Sequence, residues 1–370
     1  MAVDNNPLSL TYVASHNDAG SDPLHVFCWD GSAGRLEFIG THADGLSKPL
    51  HLEADSEHQF LYATDFLNAC DHGPGGAVCA FAIDRATGAL SFLNRQPAGD
   101  DAPCYLSVSG NRMFLLLANY LTGTIKVYPI AANGHLDPFV TTCQQEGSGI
   151  NQERQEGPHP HSIVLGPSGR FAFSPDLGAD RIYLYQFNPN DGRLTPNEPP
   201  YIPVSPGSGP RHLKFHPNEQ HAYLVNELTN TILTYGYDDG TGRLTQLQTS
   251  PTLPDDFRKD NLSAEVQVHP NGRFLYSSNR GHDSIAIFSI DRENGQLSPI
   301  DRISTQGSFP RAFSLDPSGN YLLVANEYTD SIVVFHVDQD SGKLTYSGQT
   351  LNVPKPVCFK FIPFLSSTNP

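Results

Sequence analysis

Apolar and polar residues alternate along this chain in short runs, and the runs fall into a phrase that repeats. The phrase is a proline, a short strand, a turn with glycine, an aromatic strand ending in Asn or Asp, a loop, a β-branched strand, and a turn ending Gly-x-Leu. Its clearest copies are PHSIVLGPSGRFAFSPDLGADRIYLYQF, PRHLKFHPNEQHAYLVNELTNTILTYGY, AEVQVHPNGRFLYSSNRGHDSIAIFSI and PRAFSLDPSGNYLLVANEYTDSIVVFHV. Two weaker copies, PLHLEADSEHQFLYATDF and PCYLSVSGNRMFLLLANYLTGTIKVY, precede them. The copies begin at Pro49, Pro103, Pro160, Pro210, Ser263 and Pro310, a period of roughly 46 to 57 residues.

Each copy holds four strand candidates. In the last they are Ala312 to Leu315, Tyr321 to Ala325, Ser331 to His336 and the stretch after Leu344. The turn between the third and fourth is written RATGAL, NDGRL, GTGRL, ENGQL and DSGKL in successive copies, with a glycine to supply the positive φ of a tight hairpin. Four antiparallel strands at this period describe a β-propeller blade. The ends complete the count. PVCFKFIP, from Pro356, reads as a first strand only, whereas SLTYVASHN and LHVFCWDGSAGRLEFIG supply a second, third and fourth. The expected fold is therefore all-β, a seven-bladed propeller formed as one domain over residues 1–370, with one blade assembled from both chain ends. Such closure removes the exposed sheet edges that invite aggregation.

Composition agrees with short strands and tight turns, since 30 Pro and 32 Gly are far too many for long helices. The net charge of −16 argues against nonspecific binding to nucleic acid or anionic lipid. The opening MAVDNNPLSLTYVASHN has neither the basic nor the apolar region of a leader, and no apolar run approaches the roughly 18 residues of a membrane helix. A cytoplasmic protein, monomeric or weakly dimeric, is expected. Cys28, Cys70, Cys79, Cys104, Cys143 and Cys358 show no zinc-like spacing and read as reduced core residues.

Candidate chemistry emerges when the copies are aligned. In a propeller the first strand of each blade lines the central channel, and the loop after the second strand lies at one of its mouths. The residue after the repeat proline is Leu50, Cys104, His161, Arg211, Ala264, Arg311 and Val357 in turn. The residue after the Asn or Asp that ends the second strand is His16, Phe66, Tyr120, Leu177, Glu227, Arg280 and Glu327. A purely structural slot would repeat small or apolar residues, whereas these differ from blade to blade. One reading is a single site at the channel mouth, with guanidiniums for an anionic substrate and His plus Glu for proton transfer. The other is a ring of Arg–Glu pairs that holds blades together. One position earlier, Asp176, Asn226, Asn279 and Asn326 read as loop caps, with Asn279 also kept as a substrate contact beside Arg280. His159 and His161 do not make a metal pair, because alternate residues of a strand point to opposite faces. Two polar insertions, Gln144 to Pro158 and Pro251 to Asn261, lie just before a new blade and read as rim loops or solvated slack.

GPHPHSIVLGPSGRFAFSPDLGADRIYLYQF, GPRHLKFHP, VNELTNTI, SSNRGHDSI and VANEYTDSIVVF resemble the seven-bladed propeller lactonase family, which contains bacterial-type 6-phosphogluconolactonases and fungal carboxymuconate-lactonizing enzymes. The resemblance runs over essentially the whole chain and is strongest from Gly157 to Leu344. It implies a catalytic set of His161, Arg211, Glu227 and Arg280. Arg311, Glu327, His16 and Asn279 complete the expected substrate-binding set. The implied activity is hydrolysis of a small anionic lactone by water activated by His161 or Glu227, without a metal or other cofactor. The substrate most expected is 6-phosphogluconolactone, with unphosphorylated aldonolactone and carboxymuconolactone still open. The alternatives are a carboxymuconate-type lactonizing enzyme (cycloisomerase) and a non-enzymatic scaffold for protein partners, which would show an exposed apolar patch instead of a charged axial pocket.

Overall fold

A computed structural model describes residues 8–16, 22–66, 75–99 and 102–364. Among these residues the strands form seven four-stranded antiparallel sheets, six of them laid down from the axis outward in chain order. In the repeat from Pro310 the strands are Pro310–Leu315, Tyr321–Asn326, Ser331–Val337 and Leu344–Asn352, within two residues of the spans that alternation predicts. Second strands such as Tyr321–Asn326 and His221–Asn226 are buried at every position, because neighbouring blades cover both of their faces. The outermost Leu344–Asn352 keeps a polar, solvent-facing side.

The blade built from both ends, here blade 1, contains Leu8–Ser15, Leu24–Asp30 and Arg35–His42, with Pro356–Pro363 as its innermost strand. Tyr12 pairs with Lys360 and Ala14 with Cys358. Side chains reinforce this closure on the blade 7 side: Trp29 Nε1 donates to Asp316 Oδ2 at 3.3 Å, and Gln349 bonds both backbone groups of Leu36 at 3.0 Å.

The Gly-x-Leu turns also bolt blades together. Gly342 sits at φ 72°, and a Cβ there would meet the Phe274 ring of the preceding blade at 2.4 Å. The same close approach lets Tyr276 Oη of that blade donate to Gly342 O at 2.9 Å. Equivalent bonds join Tyr223 to Gly295 O and Tyr12 to Gly88 O. A turn signal in the sequence is thus also an interface signal.

A second repeated bond aims residues at the axis. The N–H of the residue after each second-strand Asn or Asp donates to the carbonyl just before the repeat proline: His16 to Lys355, Tyr120 to Ala102, Glu227 to Gly209 and Glu327 to Phe309. The acceptor residues Ala102, Gly209, Phe309 and Lys355 all have positive φ, so the chain turns sharply into the channel at these points. Blade 6 has Ser263 in place of the proline and pairs Leu262 with Arg280 instead. In blade 4 the innermost strand is only Val164–Leu165. His161 lies just upstream, beside an isolated Pro160–Asp176 bridge, with its N–H bonded to Pro175 O at 3.0 Å.

The capping reading describes the preceding position well. Asp176 Oδ1 accepts the N–H groups of His159 and Ala179, and Asn326 Nδ2 donates to Thr305 O. The cysteines among the described residues are free thiols, and Cys70 lies outside them.

Candidate active site

Glu227 is the hub of a buried ionic cluster. Its Oε2 accepts from Arg211 Nη1 at 2.6 Å and Arg280 Nη2 at 2.7 Å. Arg211 Nη1 also lies 2.6 Å from His161 Nε2. Three successive blades deliver these four side chains, and all four are buried. Because a guanidinium has no lone pair to offer, Arg211 is the donor to His161, so Nε2 is unprotonated and the ring proton sits on Nδ1. That Nδ1 is buried with no hydrogen-bond partner among the described residues, as is Arg211 Nε.

Glu227 has a further partner that the repeat alignment did not find. Arg154 Nη2 donates to Glu227 Oε1 at 2.5 Å and reaches Tyr120 Oη at 3.4 Å. It comes from the insertion between Gln144 and Pro158, which is firmly held. Gln155 is fully buried, donates to Leu177 O at 2.8 Å and folds the loop back through Asn151. The insertions differ in length and sequence and do not align between copies, so comparing copies misses Arg154. The available signal was the position of the loop on the face where blades hand over.

The expected substrate contacts divide. Glu327 is buried, its Oε1 lies 3.6 Å from His16 Nδ1, and its Oε2 has no hydrogen-bond partner among the described residues. Arg311 lies close enough to act electrostatically on Arg211, Arg280, His161 and Glu327. Among the described residues it has no hydrogen-bond or ion-pair partner. Asn279 does not join them. It is fully buried, with Oδ1 accepting from Thr252 Oγ1 and Ser263 Oγ and Nδ2 donating to Thr252 O. Its polar atoms are consumed in tying the Pro251–Asn261 insertion to blade 6, so the expectation of a substrate contact is corrected to that of a loop tie. His159 is likewise occupied: its ring stacks on Tyr120 at 4.6 Å, and its nitrogens contact Tyr120 O and Glu156.

A cavity of about 310 Å³ runs along the innermost strands below the cluster, at the lower end of the usual small-molecule range of about 300–1,000 Å³. His161, Arg211 and Arg311 line it nearest the repeat prolines, and Lys214, Glu265 and Lys360 line it further along the strands. There the charges are paired: His212 Nδ1 lies 3.1 Å from Glu265, Lys214 bonds Tyr105 Oη at 3.1 Å, and Lys360 pairs with Glu53. Among the described residues, no three His, Cys, Asp or Glu side chains gather as a metal site. Nor does any helix there have the length and apolarity to cross a membrane.

Residues 10–361 match the model of the family described as lactonase, 7-bladed beta-propeller. The chain belongs to this family. Relatives within it include the 6-phosphogluconolactonase of Bacillus subtilis, 36% identical over 351 residues that span 95% of this chain and 97% of the relative. Another is the 6-phosphogluconolactonase of Formosa agariphila, 32% identical over 79% of this chain and 82% of the relative. The solved structure of the periplasmic gluconolactonase of Pseudomonas aeruginosa superposes with a TM-score of 0.91 at 31% identity, covering 97% of this chain and all of that one.

Within this lactonase-family propeller the ionisation states follow from burial set against neighbouring charge. Burial alone would raise the pKa of Glu227, but Arg280, Arg211, His161 and Arg154 together hold it well below the usual carboxylate range. Glu227 is thus a fixed anion and a very weak base. His161 is pushed well below its ordinary value by burial and then by Arg211 and His212, so its imidazole is neutral at pH 7. Arg211 is pushed down to about 9 by burial and by Arg280, with Glu227 opposing, which leaves it protonated at pH 7. Four guanidiniums (Arg154, Arg211, Arg280 and Arg311) meet two carboxylates (Glu227 and Glu327), leaving two positive charges in excess. The arrangement can attract an anion, supply N–H donors to a developing oxyanion, and accept a proton at His161 Nε2.

Proposed function

We propose that this protein is a lactonase that opens a sugar-derived lactone with water, and that 6-phosphogluconolactone is the substrate it fits best. The observation that carries the reading is the excess of guanidinium over carboxylate around a neutral, buried histidine. The names of the Bacillus and Formosa relatives support the same substrate. Because the candidate residues all come from one chain, a monomer suffices. A phosphorylated substrate, unable to cross a membrane unaided, favours a cytoplasmic enzyme.

In this mechanism the lactone carbonyl lies against His161, Arg211 and Arg311. Water attacks the carbonyl carbon and a new C–O bond forms. As negative charge builds on the carbonyl oxygen, it draws the Arg211 N–H away from neutral His161, and the freed Nε2 takes the proton from water. Collapse of the tetrahedral intermediate breaks the ring C–O bond, and the imidazolium returns its proton to the departing ring oxygen. Glu227 holds Arg211 and Arg280 in position throughout.

The test is hydrolysis across freshly prepared lactones: phosphorylated gluconolactone, gluconolactone and carboxymuconolactone. Turnover is expected to be fastest on the phosphorylated sugar and to persist after exhaustive chelation. Activity lost on chelation and restored by calcium or zinc would replace this mechanism with a metal-dependent one, and no turnover on any lactone would leave the scaffold reading. Arg311→Ala is expected to lower kcat/KM about 100-fold on every lactone, the usual cost of losing one oxyanion donor. Its thermal midpoint should hold or rise, because an unpaired cation among other guanidiniums destabilises the fold. A lowered midpoint with unchanged kinetics would make Arg311 structural.

A further inference from the structure

We infer that Arg154, on the insertion between blades 3 and 4, is the specificity residue that recognises the phosphate of the substrate. This inference rests on the lactonase reading above and refines it by assigning the substrate's distal anion to one side chain.

Arg154 differs from the other guanidiniums bound to Glu227. Arg211 and Arg280 are buried to within a few per cent and share Oε2 of the carboxylate, whereas Arg154 takes Oε1 and leaves 34% of its side chain open to solvent. Only its Nη2 is engaged, with Glu227 and Tyr120. The Nε–H and both Nη1 hydrogens have no partner among the described residues, which leaves three donors free on a side chain that is one-third exposed. Planar N–H groups held in a fixed orientation suit phosphate oxygens better than a point charge does.

The loop is built to hold this orientation. Gln155, next in sequence, is pinned to Leu177 O and to Asn151. At its base, Arg181 Nη1 donates to Glu146 O at 2.8 Å. Glu227 fixes the inner edge of the guanidinium. The charge count also assigns it a task. An oxyanion at Arg211 and Arg311 uses about one of the two excess charges, and the remaining positive charge suits a phosphate of about −1.5 to −2. An unphosphorylated sugar lactone offers nothing to that second charge.

The experiment compares parent, Arg154→Ala and Arg154→Lys on 6-phosphogluconolactone and on gluconolactone. Calorimetric binding of 6-phosphogluconate and gluconate is measured alongside. Arg154→Ala is expected to raise KM for the phosphorylated lactone about 10- to 100-fold more than KM for gluconolactone, with any loss of kcat that passes through Glu227 shared equally by the two substrates. Arg154→Lys should recover part of the difference, and 6-phosphogluconate binding should weaken by a similar factor more than gluconate binding. Equal losses on both substrates would overturn the inference, reducing Arg154 to a support for Glu227, and so would no loss on either. If the parent hydrolyses neither lactone yet binds 6-phosphogluconate through Arg154, the phosphate site stands and the lactonase reading falls. If the parent is active and its phosphate affinity is indifferent to Arg154, only this inference falls.

Discussion

His161→Gln is expected to reduce kcat/KM by about 100- to 10,000-fold, the range over which a positioned general base contributes, while product affinity stays within a few-fold of the parent. The glutamine amide can still accept from Arg211, so the cluster keeps its geometry and loses only its proton acceptor. The pH profile of the parent supplies a second readout. His161 works as the neutral imidazole, and its pKa lies well below the ordinary value because of burial and Arg211. The ascending limb of kcat/KM should therefore lie well below pH 6.5 and leave a plateau through neutrality. Arg211 must stay protonated, and burial with Arg280 brings it down to about 9, so the descending limb should appear near that pH. Protonation of Glu227 does not confuse the acid limb. Its pKa is depressed in the folded state, so the stability it provides is present above the ordinary carboxylate range and disappears only as pH falls through the much lower folded value. Glu227→Gln is the informative contrast. It strips the shared counterion from three guanidiniums and should cost about 3–5 kcal/mol, as breaking a buried ion pair does. It should therefore act on the melting temperature as well as on rate. If His161→Gln retained parental turnover, or if Glu227→Gln abolished turnover with its melting temperature unchanged, His161 would not be the base.

The sequence reveals most where one physical demand recurs in every blade. The Gly-x-Leu turns must reach positive φ, and the second strands must be apolar on both faces, so strand limits and closure follow from comparing copies. The convergence of His161, Arg211, Glu227 and Arg280 is legible for the opposite reason. Glu227 sits where the repeated backbone bond to the pre-proline carbonyl aims it at the axis, His161 and Arg211 follow the repeat proline, Arg280 takes the matching slot of blade 6, and all four differ from their equivalents. What stays hidden has no counterpart in the repeat. Arg154 rides on an insertion that aligns with nothing in the other copies. The hydrogen on His161 Nδ1 depends on a contact with Arg211, 50 residues away. Asn279 shows the converse hazard: a polar residue beside a site arginine looks like a ligand contact until its bonds to Thr252 and Ser263 are counted. The paired charges of Lys214, Glu265, Lys360 and Glu53 were also unread, because they lie deeper along the innermost strands than the slots compared.

Truncation after Val353 is expected to abolish cooperative folding, giving aggregated protein with no sigmoidal melt. The deletion removes the innermost strand of blade 1 and with it the whole ladder that pairs Ser9 to Pro363, Tyr12 to Lys360 and Ala14 to Cys358. Val357, Phe359 and Ile362 are all buried, and each is worth about 1.5–3 kcal/mol on burial. Set against a net stability of about 5–15 kcal/mol, losing them with a full strand of hydrogen bonds leaves little or no margin. The damage spreads beyond blade 1, because Cys358 Sγ accepts from Leu52 N and Lys360 pairs with Glu53 in blade 2, while Phe359 packs in the core shared with blade 7. The exposed inner edge of Leu8–Ser15 then offers unpaired, apolar backbone to other copies of the chain. A synthetic peptide spanning residues 354–364, added during refolding, should restore soluble protein and a cooperative melt, since it returns the missing strand without restoring the covalent link. A truncated chain that melted cooperatively at the parental temperature would show instead that the ring is held by its inter-blade tyrosine bolts, such as Tyr276 to Gly342, and that the joined ends add only a final strand.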